Sequence, residues 1–265
     1  MPLSPAQLER FHEDGFLVLP ALFSRAEVEI LRAEVPRLFA EESPANIREK
    51  ASGDVRTAMG LHVRSEVFGR LCRHPRFVEP AWQIVGTGRV YIQQAKVNAK
   101  VAFSGEAWQW HFDFATHHNE DGVPEPLALN LHVFLDDVSE HNGPLVLIRG
   151  SHAHGPARTS LDTETTSYAL WTVDNETVAK LAAAGGLASA TGPAGTGLIF
   201  GDCLVHGSPP NMSPWDRRIF SVILNPVANA QTRFARPDYK HSRDFTPVSP
   251  LADDCLSTPL VSTAA

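Results

Sequence analysis

The chain has no disulfide framework. Its 265 residues hold three cysteines, Cys72, Cys203 and Cys255, too few and too widely spaced for a bridged scaffold or a CxxC pair. That usage fits a reducing compartment, and the expected location is the cytoplasm. No apolar run approaches the roughly 18 residues that a membrane span needs. The opening Met1-Pro2-Leu3-Ser4 leads into a helix signal, not into the basic and apolar segments of a signal peptide. Runs of Lys and Arg are missing too, and the net charge is -7, which argues against a nucleic-acid surface. There is no internal repeat and no low-complexity segment. What is present is ordinary for a globular chain: 43% hydrophobic and 20% charged residues. One core is expected, hence a single domain over 1–265.

Helical signals come first. Ser4-Pro5-Ala6-Gln7 and Ser24-Arg25-Ala26-Glu27 both read as capping boxes, and Gly15 as a stop. Val28, Leu31, Val35 and Leu38 then recur at helical spacing. Residues 41–56 are polar and read as a mobile loop, and Phe68, Leu71, Phe77 and Trp82 suggest a third helical region. Residues 1–85 are thus expected to be mainly helical support, with one short strand at Phe16–Leu19. From residue 88 the period changes to two. Leu127, Leu129, Leu131, Val133 and Leu135 alternate with Ala128, Asn130, His132 and Phe134, a strand whose second face is partly polar, as a cavity lining would be. Further strands are expected at 90–98, 144–148, 197–200 and 219–224. The segment 153–193 is poorly patterned, with a helix near 175–184, and is expected as an insertion over the mouth of a β core spanning 88–230. The fold class is mainly β with flanking helices.

The chemistry centres on Trp110-His111-Phe112-Asp113. If this stretch is a strand, His111 and Asp113 share a face, while Phe112 points into packing. His206 lies 93 residues after Asp113 and Arg217 follows 11 residues later. Two imidazoles and a carboxylate can hold Fe(II) by one face and leave three positions open. Arg217 would place a planar guanidinium on a neighbouring strand, suited to a bidentate grip on a carboxylate. Of Arg217 and Arg218, one is expected to face solvent.

Several runs carry a resemblance: Gln94-Ala95-Lys96-Val97-Asn98-Ala99-Lys100, Trp108 to Phe114, Glu120-Asp121-Gly122, Asn142-Gly143-Pro144-Leu145, Gly150-Ser151-His152, His206-Gly207-Ser208, Asn211 to Pro214, Arg236-Pro237 and Arg243 to Pro247. Together they resemble the phytanoyl-CoA dioxygenase-like family of Fe(II)/2-oxoglutarate oxygenases. Within it they are most similar to bacterial hydroxylases of small amino-acid-like molecules, namely ectoine hydroxylase, proline trans-4-hydroxylase and leucine 5-hydroxylase. The likeness covers nearly the whole chain except about 155–190. It implies a double-stranded β-helix (jelly-roll) core and the cofactors Fe(II), 2-oxoglutarate and O2. It implies His111, Asp113 and His206 as iron ligands, and Arg217 with Ser208 on the far carboxylate of 2-oxoglutarate. Gln94, Asn98 and Trp108 would border the cosubstrate. The retained carboxylate at Asp113 implies hydroxylation, where related halogenases carry a small residue.

The implied substrate is a free L-amino acid or similar small zwitterion, taken by a monomer or a homodimer. After Asp113 the ectoine and proline enzymes carry a tryptophan where this chain has His117-His118, which favours a more polar substrate. Lys96, Arg56 and Arg233 are candidate substrate contacts, as are Arg64 and Arg236, while His132 and His152 are expected to be structural. Two alternatives stand: the same chemistry on a larger natural-product intermediate, and a non-catalytic jelly-roll binding protein, against which the full set of four residues argues.

Overall fold

The computed structural model describes residues 2–165 and 167–258. The chain opens with α1 (Pro5–Asp14), β1 (Phe16–Leu19) and α2 (Arg25–Ala40). Both predicted capping boxes are formed, and Gly15 ends α1 with a φ of 84°. A side chain at Gly15 would also strike the His152 ring, its Cβ falling 2.3 Å from Nδ1. Next come β2 (Asn46–Arg48), β3 (Val55–Met59), and α3 (Leu61–Arg64), α4 (Glu66–Cys72) and α5 (Pro75–Val85). The 41–56 stretch is therefore not a free loop. Asn46 donates to the Leu38 and Glu41 carbonyls at the end of α2 (2.7 and 2.9 Å), and Arg56 is fully buried.

The second part holds β4 (Val90–Lys100), β5 (Trp108–His111), α6 (Asp113–Asp121), β6 (Leu129–Phe134) and β7 (Leu145–Ile148). It continues with β8 (Thr159–Asp162), β9 (Leu170–Val173), α7 (Asn175–Gly185) and β10 (Leu187–Ala190). β11 (Gly197–Gly201), β12 (His206–Ser208) and β13 (Arg217–Pro226) complete the set. The strands form two antiparallel sheets, ordered β1-β11-β6-β13-β4-β3-β2 and β10-β7-β12-β5-β9-β8. They face each other as a double-stranded β-helix. The 153–193 segment, expected as an insertion over the mouth, contributes three of the six strands of the smaller sheet, and its Tyr168 and Leu170 border the space between the sheets. Its short strands are half exposed, which hides their period from a reading of the sequence.

The larger sheet has two unlike faces. Leu131, Val133, Phe220 and Val222 turn outward and pack with Leu31, Leu38, Phe68 and Phe77 of the helices into the main core. Phe68 stacks on Phe220 with ring centroids 5.1 Å apart. The alternate residues turn inward, and both faces of β6 are buried. Period two thus turns an apolar face to the helices and a mixed face, which carries the polar residues, to the space between the sheets. Among the described residues no helix is long and apolar enough to cross a membrane.

Candidate active site

Three side chains meet on one wall of that space. His111 ends β5 and His206 opens β12; they are cross-strand partners, with ring centroids 4.2 Å apart. Asp113 is not on the strand. The strand stops at His111, and Asp113 is the first residue of α6. The expectation of an i, i+2 pair on one strand is corrected accordingly, although Phe112 between them does pack into the core. A helix N-terminus is a favourable place for a carboxylate, because unpaired backbone N–H groups point toward it. One ligand atom from each of the three residues lies within 4.8 Å of the others.

Each donor is oriented from behind. His111 Nδ1 lies 2.6 Å from the Gln109 carbonyl and His206 Nδ1 2.9 Å from the Leu204 carbonyl. A carbonyl only accepts, so each Nδ1 carries the hydrogen and each ring has its Nε2 free to offer a lone pair to the gap. Asn130 donates to Asp113 Oδ2 at 2.9 Å and leaves Oδ1 open, 3.9 Å from His111 Nε2. Burial, then the neighbouring His206, pushes the His111 ring down to about 3, so it is neutral at physiological pH. Burial alone would raise the Asp113 carboxyl. The facing His206 and Lys96 outweigh it and hold the carboxyl well below its usual range. Gly207 lets β12 lie close, since a Cβ there would meet the Trp108 carbonyl at 3.2 Å.

In front of the triad lies a cavity bordered by both sheets. Strand register orders its polar groups. Along β4 and β13 the inward pairs run Lys100–Arg217, Asn98–Ile219, Lys96–Ser221 and Gln94–Ile223. Arg217 stands at one end. Gln94 stands at the other, level with Asn130 and hence with Asp113.

Arg217 is 1% exposed and has no ion-pair partner among the described residues. Its Nη2 reaches Ser208 Oγ at 3.4 Å, its Nη1 only the Asn98 carbonyl at 3.5 Å, and its Nε has no partner. Burial, then the Arg56 guanidinium, lowers it to about 9, so it stays charged at neutral pH. Burial, then Arg217 and Arg56, drives Lys100 to about 5. The resulting neutral amine donates to the Ser208 and Pro209 carbonyls. A buried cation with idle, coplanar donors is built to receive a carboxylate. Arg218, one residue on, faces outward and pairs with Asp136 at 2.7 and 2.8 Å.

The other end is bordered by Lys96, His117 and Arg236. Lys96 Nζ donates to Gln94 Oε1 at 2.6 Å. His117 sits one turn after Asp113, its Nδ1 3.0 Å from Asp202 Oδ1. Burial pulls this ring down, but the buried Asp202 carboxylate prevails and raises it. Arg236 is held by Asp121 at 2.8 and 2.5 Å, and His241 meets the same carboxylate at 2.8 Å.

Gln94, Asn98, Trp108, Ser208 and Lys96 all border the cavity, as expected. Three substrate candidates do not. Arg56 is committed to Glu49 (2.9 Å) and to the Ala107 carbonyl (2.7 Å), and stacks 3.9 Å over the Trp108 ring. Arg233 is exposed and donates to the Asn119 carbonyl. His118 points away from the cavity, with Nδ1 on the Val123 carbonyl at the end of α6. Arg64 is also spent, on Glu41. Asn130, Asp202 and Tyr168 were missed. Asn130 was visible as a polar residue in a β alternation, whereas Tyr168 lies in a segment without pattern. His132, expected to be structural, borders the cavity, and His152 braces α1 through the His12 carbonyl.

Residues 11–219 match the family model described as phytanoyl-CoA dioxygenase (PhyH). The chain belongs to the PhyH family. It is a 2-oxoglutarate-dependent non-haem iron dioxygenase carrying the His-x-Asp…His triad. This PhyH enzyme is 38% identical over 265 residues to the L-proline trans-4-hydroxylase of Streptomyces griseoviridis, covering 96% of this chain and 98% of that one. It is 38% identical over 240 residues to an ectoine dioxygenase of Bordetella bronchiseptica, covering 86% and 77%. EctD of S. alaskensis solved with 2-oxoglutarate and 5-hydroxyectoine has a TM-score of 0.81 at 32% identity, covering 94% of this chain and 86% of that one. EctD solved with bound Fe gives 0.82 at 31% identity, covering 94% and 87%. The residues here fit both groups: three oriented donors for the metal, and the idle Arg217 guanidinium for a dicarboxylate.

Proposed function

We propose that this enzyme hydroxylates an unactivated C–H bond of a free L-amino acid or similar small zwitterion. The balance is one C–H bond, O2 and 2-oxoglutarate giving C–OH, succinate and CO2. The observation that carries the reading is the layout of one cavity: two imidazoles and a carboxylate on its wall, an unpaired guanidinium at one end, and three cationic or polar donors at the other.

In this reading His111, Asp113 and His206 hold Fe(II), which with 2-oxoglutarate and O2 supplies the oxidising power. Gln109, Leu204 and Asn130 fix the ligands' orientation. Arg217, with Ser208, takes the distal carboxylate of 2-oxoglutarate, while Asn98 and Trp108 border it. Arg56 acts indirectly, stiffening the Trp108 wall. At the far end Lys96 and Arg236 meet the substrate carboxylate, and His117, oriented by Asp202, donates its Nε2–H where the relatives' tryptophan would offer only an apolar face and an indole N–H. Gln94 bridges the two regions through Lys96.

The test is a turnover panel of free amino acids set against their carboxamides, read by mass spectrometry and succinate release. One amino acid should gain one oxygen while its amide is turned over at least 10-fold more slowly. Equal turnover of acid and amide would refute the carboxylate contact.

A further inference from the structure

One cavity side chain has no partner at either hydrogen-bonding atom. His132 is 4% exposed, and among the described residues neither Nδ1 nor Nε2 meets a donor or acceptor. Buried polar atoms are nearly always paired, so two orphans on one ring call for a partner of another kind. The register gives the ring its place. His132 on β6 lies opposite Ser221 on β13, and Ser221 lies opposite Lys96 on β4, so the three form one rung across the inner face of the larger sheet. The Ser221 hydroxyl is likewise unpartnered.

This rung lies between the two sites already described. Asn130, the support of Asp113, stands two residues from His132 on the same inward face of β6. Arg217 stands four residues from Ser221 on the same inward face of β13. A dicarboxylate chelated at the triad and gripped by Arg217 must pass over the rung. Packing, not hydrogen bonding, fixes the ring. His132 stands edge-on to Phe200 at 5.0 Å and 72°, and Phe200 packs on His206 at 4.9 Å. The groups that act on the ring electrostatically, after burial, are Lys96, His206, Asp113 and Arg217, which belong to the metal wall and the guanidinium end alike.

We propose that His132 binds 2-oxoglutarate, a ring N–H donating to a carboxylate oxygen of the cosubstrate between the metal and Arg217. This rests on the reading of the cavity as a 2-oxoglutarate site, and the experiment separates the two. The Fe(II)-loaded enzyme is titrated anaerobically with 2-oxoglutarate, following the visible metal-to-ligand charge-transfer band. Absence of that band in the unmodified enzyme would overturn the site itself, and the proposal with it. With the band present, His132→Phe and His132→Met, two apolar fillings of the same space, are compared. Each is expected to weaken 2-oxoglutarate about 10- to 100-fold, the value of a lost hydrogen bond to a charged group, with Fe(II) affinity unchanged. His132→Gln, whose amide nitrogen replaces Nε2, should recover most of the loss. If either folded apolar variant binds 2-oxoglutarate within twofold of the unmodified enzyme, the ring only packs or holds a water, and the proposal fails. It fails too if Fe(II) affinity drops in step, which would place the ring's action on the metal.

Discussion

Arginine has four fates in this cavity and its surroundings, and what faces each side chain decides which. Arg217 is buried without a carboxylate, Arg56 is buried with one, Arg236 borders the cavity while tied to Asp121, and Arg233 lies in solvent. The sequence could nominate Arg217, because its distance from His206 and its place at the start of a strand are local. It could not separate Arg56 from the others, because its partners Glu49 and Glu106 are set by tertiary packing. The iron ligands were legible for the opposite reason: the chemistry needs those residue types whatever the backbone does. The strand-to-helix turn after His111 was not legible, yet it left the donor set intact. Two outcomes belong to this scale. Arg217→Lys should raise the KM for 2-oxoglutarate at least 10-fold with Fe(II) affinity intact, since an ammonium cannot reproduce a bidentate fork. A steady-state titration of the cosubstrate checks it. His206→Ala should lose Fe(II) affinity and more than 100-fold in turnover while retaining its circular dichroism; full metal affinity in that variant would remove His206 from the site.

Helix α6 ties catalysis to stability. Its first residue is Asp113, its second turn carries His117, and its last residue, Asp121, clamps Arg236 and His241 of the following chain. Burial acts to raise the Asp121 carboxyl, but His241 and Arg236 prevail and hold it down at about 2, against an ordinary value of 3.8. A depressed carboxyl stabilises the fold above its unfolded pKa and loses that contribution as pH falls through the folded one. The window is therefore pH 4 to 2, and the stake is about 2 kcal/mol. Urea unfolding at pH 7, 5 and 3.5 should show the onset of this loss in the unmodified enzyme and a flatter profile in Asp121→Asn, whose stability is lower throughout. The 153–193 segment gives the second outcome at this scale. Because it supplies β8, β9 and β10, excising 155–190 should abolish cooperative thermal unfolding; a deletion variant that melts sharply and binds Fe(II) would return the segment to the status of an appendage. Its strands escaped the sequence reading because they are short and half exposed, so no alternation marks them.

The whole molecule divides its work between the faces of one sheet. The outer face, with α2, α4 and α5, forms an apolar core, and the inner face supplies Gln94, Lys96, Asn98, His132 and Arg217 to a cavity closed by the smaller sheet. That division was readable from the alternation around Leu129–Phe134 and from the capping boxes, which are local signals. The pairing of β5 with β12, which brings His111 to His206, joins residues 95 positions apart, and no local signal in the sequence marks it. A cavity that buries an unpaired guanidinium should gain stability when filled. Fe(II) with 2-oxoglutarate at 100 times their dissociation constants should add about 2.7 kcal/mol for each site, seen as a rise in Tm under anaerobic conditions. The central claim, that this cavity couples decarboxylation of 2-oxoglutarate to hydroxylation of a small amino acid, is tested most directly with isotopically labelled dioxygen. Incubation with Fe(II), 2-oxoglutarate and the amino-acid panel under 18O2 should place one labelled oxygen in succinate and the other in a single hydroxylated amino acid, in equal amounts. Labelled succinate with no hydroxylated amino acid anywhere in the panel would contradict it.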